Sequence, residues 1–129
     1  RAAARRNRLG RPPAGQTKPM NDKDLSGAAL VWCPCPDRSV AEALSVEMLD
    51  ERLVACANIL VPVRSLSIWQ GGRGEAEEFE VLFKTDAARL DRAVTRLAEL
   101  HPCDCPAISG WHCDATTPAV LARLGGELR

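Results

Sequence analysis

The cysteines and histidines, six and two in a chain of 129 residues, are the side chains with the most chemistry to offer. Cys33-Pro34-Cys35 and Cys103-Asp104-Cys105 are two CxC pairs, and His101 stands just ahead of the second. Residues two apart on a strand face the same side, so each pair can present both sulfurs together, although Pro34, Pro36, Pro102 and Pro106 interrupt a regular ladder. Four thiolates, or three with the His101 imidazole, form a polarisable donor set suited to Cu(I) or Zn(II). The same residues also fit core packing, because cysteine is among the most buried residue types, or a disulfide, and CxC lacks the CxxC spacing of a zinc knuckle. Cys56 lies among Val54, Ala55, Ala57 and Ile59, where packing competes with ligation. His112-Cys113 is an adjacent pair of the same donor types. Cys103 or Cys105 with His101 as base would resemble a nucleophile pair. No third, orienting group accompanies it, and no phosphate loop, GxSxG or HExxH occurs. No enzyme activity is expected.

The elements that must position these residues follow from the apolar pattern. Ala28 to Cys33 is a continuous apolar run closed by Pro34 and Pro36, the signature of a strand buried on both faces. Ser39 and Glu42 have capping-box spacing, and Val40, Ala41, Leu44 and Met48 then share a helical face that runs to about Leu53. Val54 to Val61 and Val63 to Trp69 read as strand, broken at Pro62. The glycines of residues 70–74 turn the chain into a further strand containing Phe79, Val81 and Phe83. Thr85 or Asp86 can cap a helix carrying Ala87, Leu90, Val94 and Leu97, which His101-Pro102 stops. Ile108 to His112 reads as a last strand, and Thr117-Pro118 starts a small C-terminal helix.

Strand, helix, strand, strand, helix, strand is the split βαβ pair of an α+β, ferredoxin-like βαββαβ sandwich, here with a short C-terminal helix. Right-handed crossovers give the antiparallel sheet the order 4-1-3-2. The last strand then lies beside the first, which makes the two CxC pairs neighbours. Strands apolar on both faces leave sheet surface that a second subunit must cover, so an oligomer is expected. Asn58, polar within such a strand, is expected to find backbone partners at a subunit contact, and Trp32, Trp69 and Trp111 to be core or interface anchors. Glu75, Glu77, Glu78 and Glu80 read as a solvated strand edge rather than a cation patch.

Composition narrows the rest. With 46% hydrophobic and 26% charged positions the chain reads as one soluble domain, and its longest apolar run, six residues, is far short of a membrane span. Equal numbers of basic and acidic groups, 17 each, give no global attraction to nucleic acid. The balance conceals an asymmetry: Arg1, Arg5, Arg6, Arg8, Arg11 and Lys18 leave 11 basic against 17 acidic groups from residue 20 onward. The expected plan is a disordered basic tail over residues 1–24, with Met20 as an alternative start that would make part of it non-native, and one domain over residues 25–129. No secretory signal pattern is recognised, and cysteines without an evident disulfide framework point to the cytoplasm.

A series of short motifs then carries a resemblance: Cys35-Pro36-Asp37, Arg52-Leu53-Val54-Ala55-Cys56-Ala57-Asn58-Ile59, Ser65, Trp69-Gln70-Gly71, Glu78, Lys84-Thr85, His101-Pro102 and Pro106. Together, from Ala28 to Leu124, they resemble the CutA family of divalent-ion tolerance proteins. The resemblance implies a cytoplasmic homotrimer of ferredoxin-like subunits, linked to tolerance of copper and other divalent metals, with no enzyme activity, no organic cofactor, and neither nucleic acid nor membrane as partner. Cysteines linked to copper in some members correspond to Cys33 and Cys56, and a third to Arg96. The metal-ligand candidates are therefore Cys33, Cys35, Cys56, His101, Cys103 and Cys105. The architecture is also similar to the trimeric PII signalling proteins, which implies as alternatives a small-ligand sensor or a trimeric interaction scaffold with structural cysteines. The sequence departs from the family where Cys103 replaces a tyrosine and Ala107 a glutamate. Ser67 and Val120 stand at other tyrosine positions and Arg123 at a tryptophan, and the chain has no tyrosine at all.

Overall fold

The structure, a computed structural model, describes residues 25–129; the tail expected over residues 1–24 lies outside the described residues. β1 (Ala28–Cys35) alternates as its sequence demands: Ala29, Val31, Cys33 and Cys35 enter the core, while Leu30, Trp32 and Pro34 face the other way, half-buried. α1 (Arg38–Asp50) follows. Its cap is Asp37, earlier than the expected Ser39: the carboxylate accepts from the Val40 amide at 2.9 Å and from the Ser39 hydroxyl at 2.9 Å. A charged acceptor gains more than a hydroxyl from the positive helix terminus, and these two bonds hold the Asp37 carboxyl below its ordinary range. The helix ends at Asp50, and Arg52 takes a left-handed φ of 58° to turn the chain back toward the sheet.

The expected second strand is two elements, β2 (Cys56–Ile59) and β3 (Val63–Trp69), separated around Pro62. Both pair antiparallel with the long β4 (Gly72–Asp86), β2 beside its second half and β3 beside its first. Gln70 and Gly71, with φ of 51° and 81°, make the hairpin turn. The helix α2 (Leu90–Leu100), strand β5 (Ser109–His112) and helix α3 (Pro118–Glu127) complete the chain. α2 starts at Arg89 without a side-chain cap of its own; Asp86 serves instead, accepting from the Arg89 amide at 2.9 Å. α3 starts as expected, with Thr117 accepting from the Val120 amide.

The sheet runs β2-β4-β1-β5 with β3 as a side branch on β4. This is the ferredoxin-like order with its second strand divided. The register Val31↔Phe83 and Cys33↔Val81 stacks these side chains on one face, where α1 and α2 cover them with Ala41, Leu44, Met48, Ala93 and Leu97. Gly110 on β5 lets α2 approach: a Cβ there would stand 2.8 Å from Leu90 Cδ1 and 3.3 Å from the Leu30 carbonyl oxygen. On the opposite face α3 covers only one end, packing Leu124 and Leu128 on Ala28. Farther along the chain's apolar surface, Ile68 is 81% exposed, Val61 79% and Trp69 61%. Among the described residues no helix is long and apolar enough to cross a membrane.

Candidate functional site

Pleating on β1 aims Cys33 and Cys35 to the helix-covered side, and the end of α2 delivers His101 to the same place. One ligand atom from each of Cys33, Cys35 and His101 lies within 4.8 Å of the others, and all three residues are buried. A three-coordinate ion with bonds of about 2.2 Å spaces its ligands about 3.8 Å apart, and a linear pair of thiolates about 4.4 Å apart. Small side-chain rotations would therefore close the group around a soft ion. Cys35 donates to the Cys33 carbonyl oxygen at 3.7 Å. The interaction between the neighbouring Cys33 and Cys35 side chains pushes Cys33 well up, with burial adding to the effect, and holds Cys35 down. Of the two buried thiols, Cys35 is therefore the one that gives up its proton more easily.

His101 is fixed at both nitrogens. Its Nε2 lies 2.7 Å from the Pro34 carbonyl oxygen, and its Nδ1 accepts from the Cys103 amide at 3.1 Å. The carbonyl can only accept, so Nε2 carries the proton. A metal taking either nitrogen displaces one of these bonds, and the survivor orients the ring, as partners outside the ligand set do in metal sites.

The remaining candidates sit elsewhere. Cys103 and Cys105 are exposed and line a cleft on the far side of the sheet, one that also reaches Cys35 and His101. Cys56 opens β2 and donates to Asn58 Oδ1 at 3.6 Å, so Asn58 finds a side-chain partner within its own strand rather than only backbone at a contact. Cys113 packs beside Ala28 and Leu124. All six cysteines are free. Arg96, at the position where copper-linked relatives were expected to carry cysteine, grips Glu51 with bonds of 2.9 to 3.1 Å and ties α2 to α1.

One residue with functional character escaped the sequence reading. Glu80, expected on a solvated edge, is 4% exposed, and its Oε1 has no hydrogen-bond partner. Opposite Pro34 on the central strand β4, it faces the cleft. Burial, then the nearby Glu78 carboxylate, push its carboxyl up to about 7. The other glutamates do differ from it: Glu75 is exposed and pairs with Arg64. The available signal was phase, since Glu80 shares a face of β4 with Leu82 and lies across from β1.

Comparison with known proteins places this geometry. The sequence pattern of the CutA1 divalent ion tolerance proteins matches residues 29–124. The divalent-cation tolerance protein CutA of Pectobacterium atrosepticum is 34% identical over 87 residues, which are 67% of this chain and 79% of that one. CutA from Xylella fastidiosa superposes with a TM-score of 0.76 at 33% identity, covering 81% of this chain and 100% of its own. A neighbour of the same fold from Archaeoglobus fulgidus, with a TM-score of 0.75 at 22% identity over 79% of this chain and 99% of that one, is described as the periplasmic divalent cation tolerance protein CutA. That description overturns the cytoplasmic expectation: cysteine usage does not by itself fix a compartment, and a protein of this fold is described as periplasmic. With the family pattern spanning β1 to α3 and the divided ferredoxin-like sheet beneath it, the chain belongs to the CutA1 divalent ion tolerance family.

Proposed function

We propose that this protein is a non-enzymatic metal-binding member of its family that takes copper, as Cu(I), on Cys33, Cys35 and His101, and that it works as a homotrimer. The observation that carries the reading is the convergence of two sulfurs and one imidazole nitrogen within 4.8 Å in a buried pocket. Two thiolates and a neutral imidazole match a soft cation and leave a hard ion short of oxygen ligands. The relatives' name, divalent-cation tolerance protein, supports a role in metal handling. Cys103 and Cys105 line the cleft leading toward Cys35 and His101, where they would meet an arriving ion first. The exposed apolar side chains of Val61, Leu66, Ile68 and Trp69 support the trimer, because a lone subunit would leave them in water.

The test is titration of the reduced protein with Cu(I) against a competing chelator. Cys33→Ser combined with Cys35→Ser is expected to weaken binding at least a hundredfold, whereas Cys103→Ser with Cys105→Ser weakens it much less. Unchanged affinity in the first variant would overturn the assignment.

A further inference from the structure

The two hydrogen bonds of His101 differ in what they allow a metal to do. Its Nε2 faces the Pro34 carbonyl oxygen at 2.7 Å, a group that only accepts, and its Nδ1 faces the Cys103 amide at 3.1 Å, a group that only donates. Both partners are backbone groups, so neither can exchange its role, and the neutral ring carries its proton on Nε2 and its free lone pair on Nδ1. A metal needs that lone pair, and a ligating imidazole gives its other N–H to a carbonyl or carboxylate that fixes the ring. His101 therefore already has the tautomer of a metal ligand, with Pro34 as the orienting partner and the Cys103 N–H occupying the lone pair. The two ways of ligating are unequal. Bonding through Nδ1 gives up only the Cys103 amide bond, and Cys103 is exposed, so water can take over that amide. Bonding through Nε2 strips the Pro34 carbonyl of its donor and moves the ring proton to Nδ1, where it meets the Cys103 N–H, donor against donor.

We infer that His101 ligates through Nδ1 and in doing so releases the Cys103 amide, so that filling the buried site changes the hydrogen bonding of the Cys103-Asp104-Cys105 loop and makes that loop the occupancy signal of a metal sensor. The inference rests on the copper reading proposed above and adds to it a consequence at the surface. The loop suits the role. Residues 101–108 are neither helix nor strand, so no ladder holds Cys103 in place once its bond to the ring is gone. Cys103 and Cys105 are exposed while Cys33, Cys35 and His101 are buried, so one backbone bond joins the inside of the site to its outside. The Pro34 bond, on the other nitrogen, survives and keeps the ring aimed at the two β1 thiols.

The experiment is long-range proton–nitrogen NMR of the reduced full-length protein at pH 8, isotope-labelled in its histidine rings and backbone, first free of metal and then with one Cu(I) per chain. The chain has two histidines, His101 and His112, and His112→Gln identifies the ring of His101. Without metal, Nε2 is expected to carry the proton and Nδ1 to be bare. With Cu(I), the Nδ1 resonance is expected to shift, the Nε2 proton to persist, and the Cys103 amide to exchange about tenfold faster while the amides of β1 and β4 keep their rates. Cys103→Ser retains the amide and is expected to show the same pattern, which separates the backbone bond from the thiol. A proton on Nδ1 in the metal-free protein, a copper shift at Nε2 or at neither nitrogen, an unchanged Cys103 amide, or loss of the pattern in Cys103→Ser would overturn this inference while leaving Cys33 and Cys35 as ligands. Copper that perturbs neither His101 nor the two β1 cysteines would overturn the copper assignment and this inference together.

Discussion

Replacing Glu80 by glutamine tests the burial of this carboxylate through stability alone. In the folded protein the Glu80 carboxyl is raised from an ordinary 4.5 to about 7, chiefly by burial and then by Glu78. Between those values the folded state holds a proton that the unfolded chain has released, so stability falls as pH rises through that window and levels off above it. A shift of that size corresponds to about 3 kcal/mol lost by pH 8 relative to pH 4.5. Solvent screening discounts it little, because the residue is 4% exposed. Glutamine has no such ionisation, so Glu80→Gln is expected to be more stable than the parent at pH 8, by up to about 3 kcal/mol, with most of that gain absent at pH 5. Urea unfolding at the two pH values, at one protein concentration so that subunit association cancels, measures the difference. A Glu80→Gln effect that is the same at both pH values would refute the reasoning.

Other expectations follow from the packing. Phe83→Ala empties a fully buried position at the centre of the helix-covered core and should cost about 3–5 kcal/mol by denaturant unfolding. Gly110→Ala drives a methyl toward Leu90, Val94 and the Leu30 carbonyl, and should cost about 1–3 kcal/mol in the same assay. Asp37→Ala removes the acceptor of the Val40 amide, whose hydrogen exchange should accelerate while core amides keep their protection. Ile68→Asp, at a position 81% exposed in the single chain, should leave the fold intact by circular dichroism and shift native mass spectra from trimer to monomer.

The pattern of apolar residues was enough to read the order of elements, the neighbours of β1 and the helix-covered core, because burial imposes period two on β1 and helical spacing on α1 and α2. Details decided by competition between nearby groups were less legible. Ser39 and Glu42 have capping-box spacing, yet the helix starts two residues earlier, with the Asp37 carboxylate accepting from both the Val40 amide and the Ser39 hydroxyl. The divided second strand reflects β4, which changes from a ribbon partner of β3 to a central strand near Phe79 with no local mark in its sequence. Glu80 falls just beyond that change, which is why a run of glutamates contains both an exposed member paired with Arg64 and a buried one. At the candidate metal site the two β1 thiols were foreseeable from strand pleating. The inward turn of His101 depends on its bond to the Pro34 carbonyl across the fold, and the following loop leaves Cys103 and Cys105 facing solvent.

The copper assignment is most directly tested by X-ray absorption at the copper edge on the reduced protein loaded with one Cu(I) per chain. Coordination by two sulfurs and one imidazole nitrogen, with the sulfur signal lost in Cys33→Ser combined with Cys35→Ser, is the predicted result. A shell of oxygen ligands, or a sulfur signal that survives that double substitution, would contradict it.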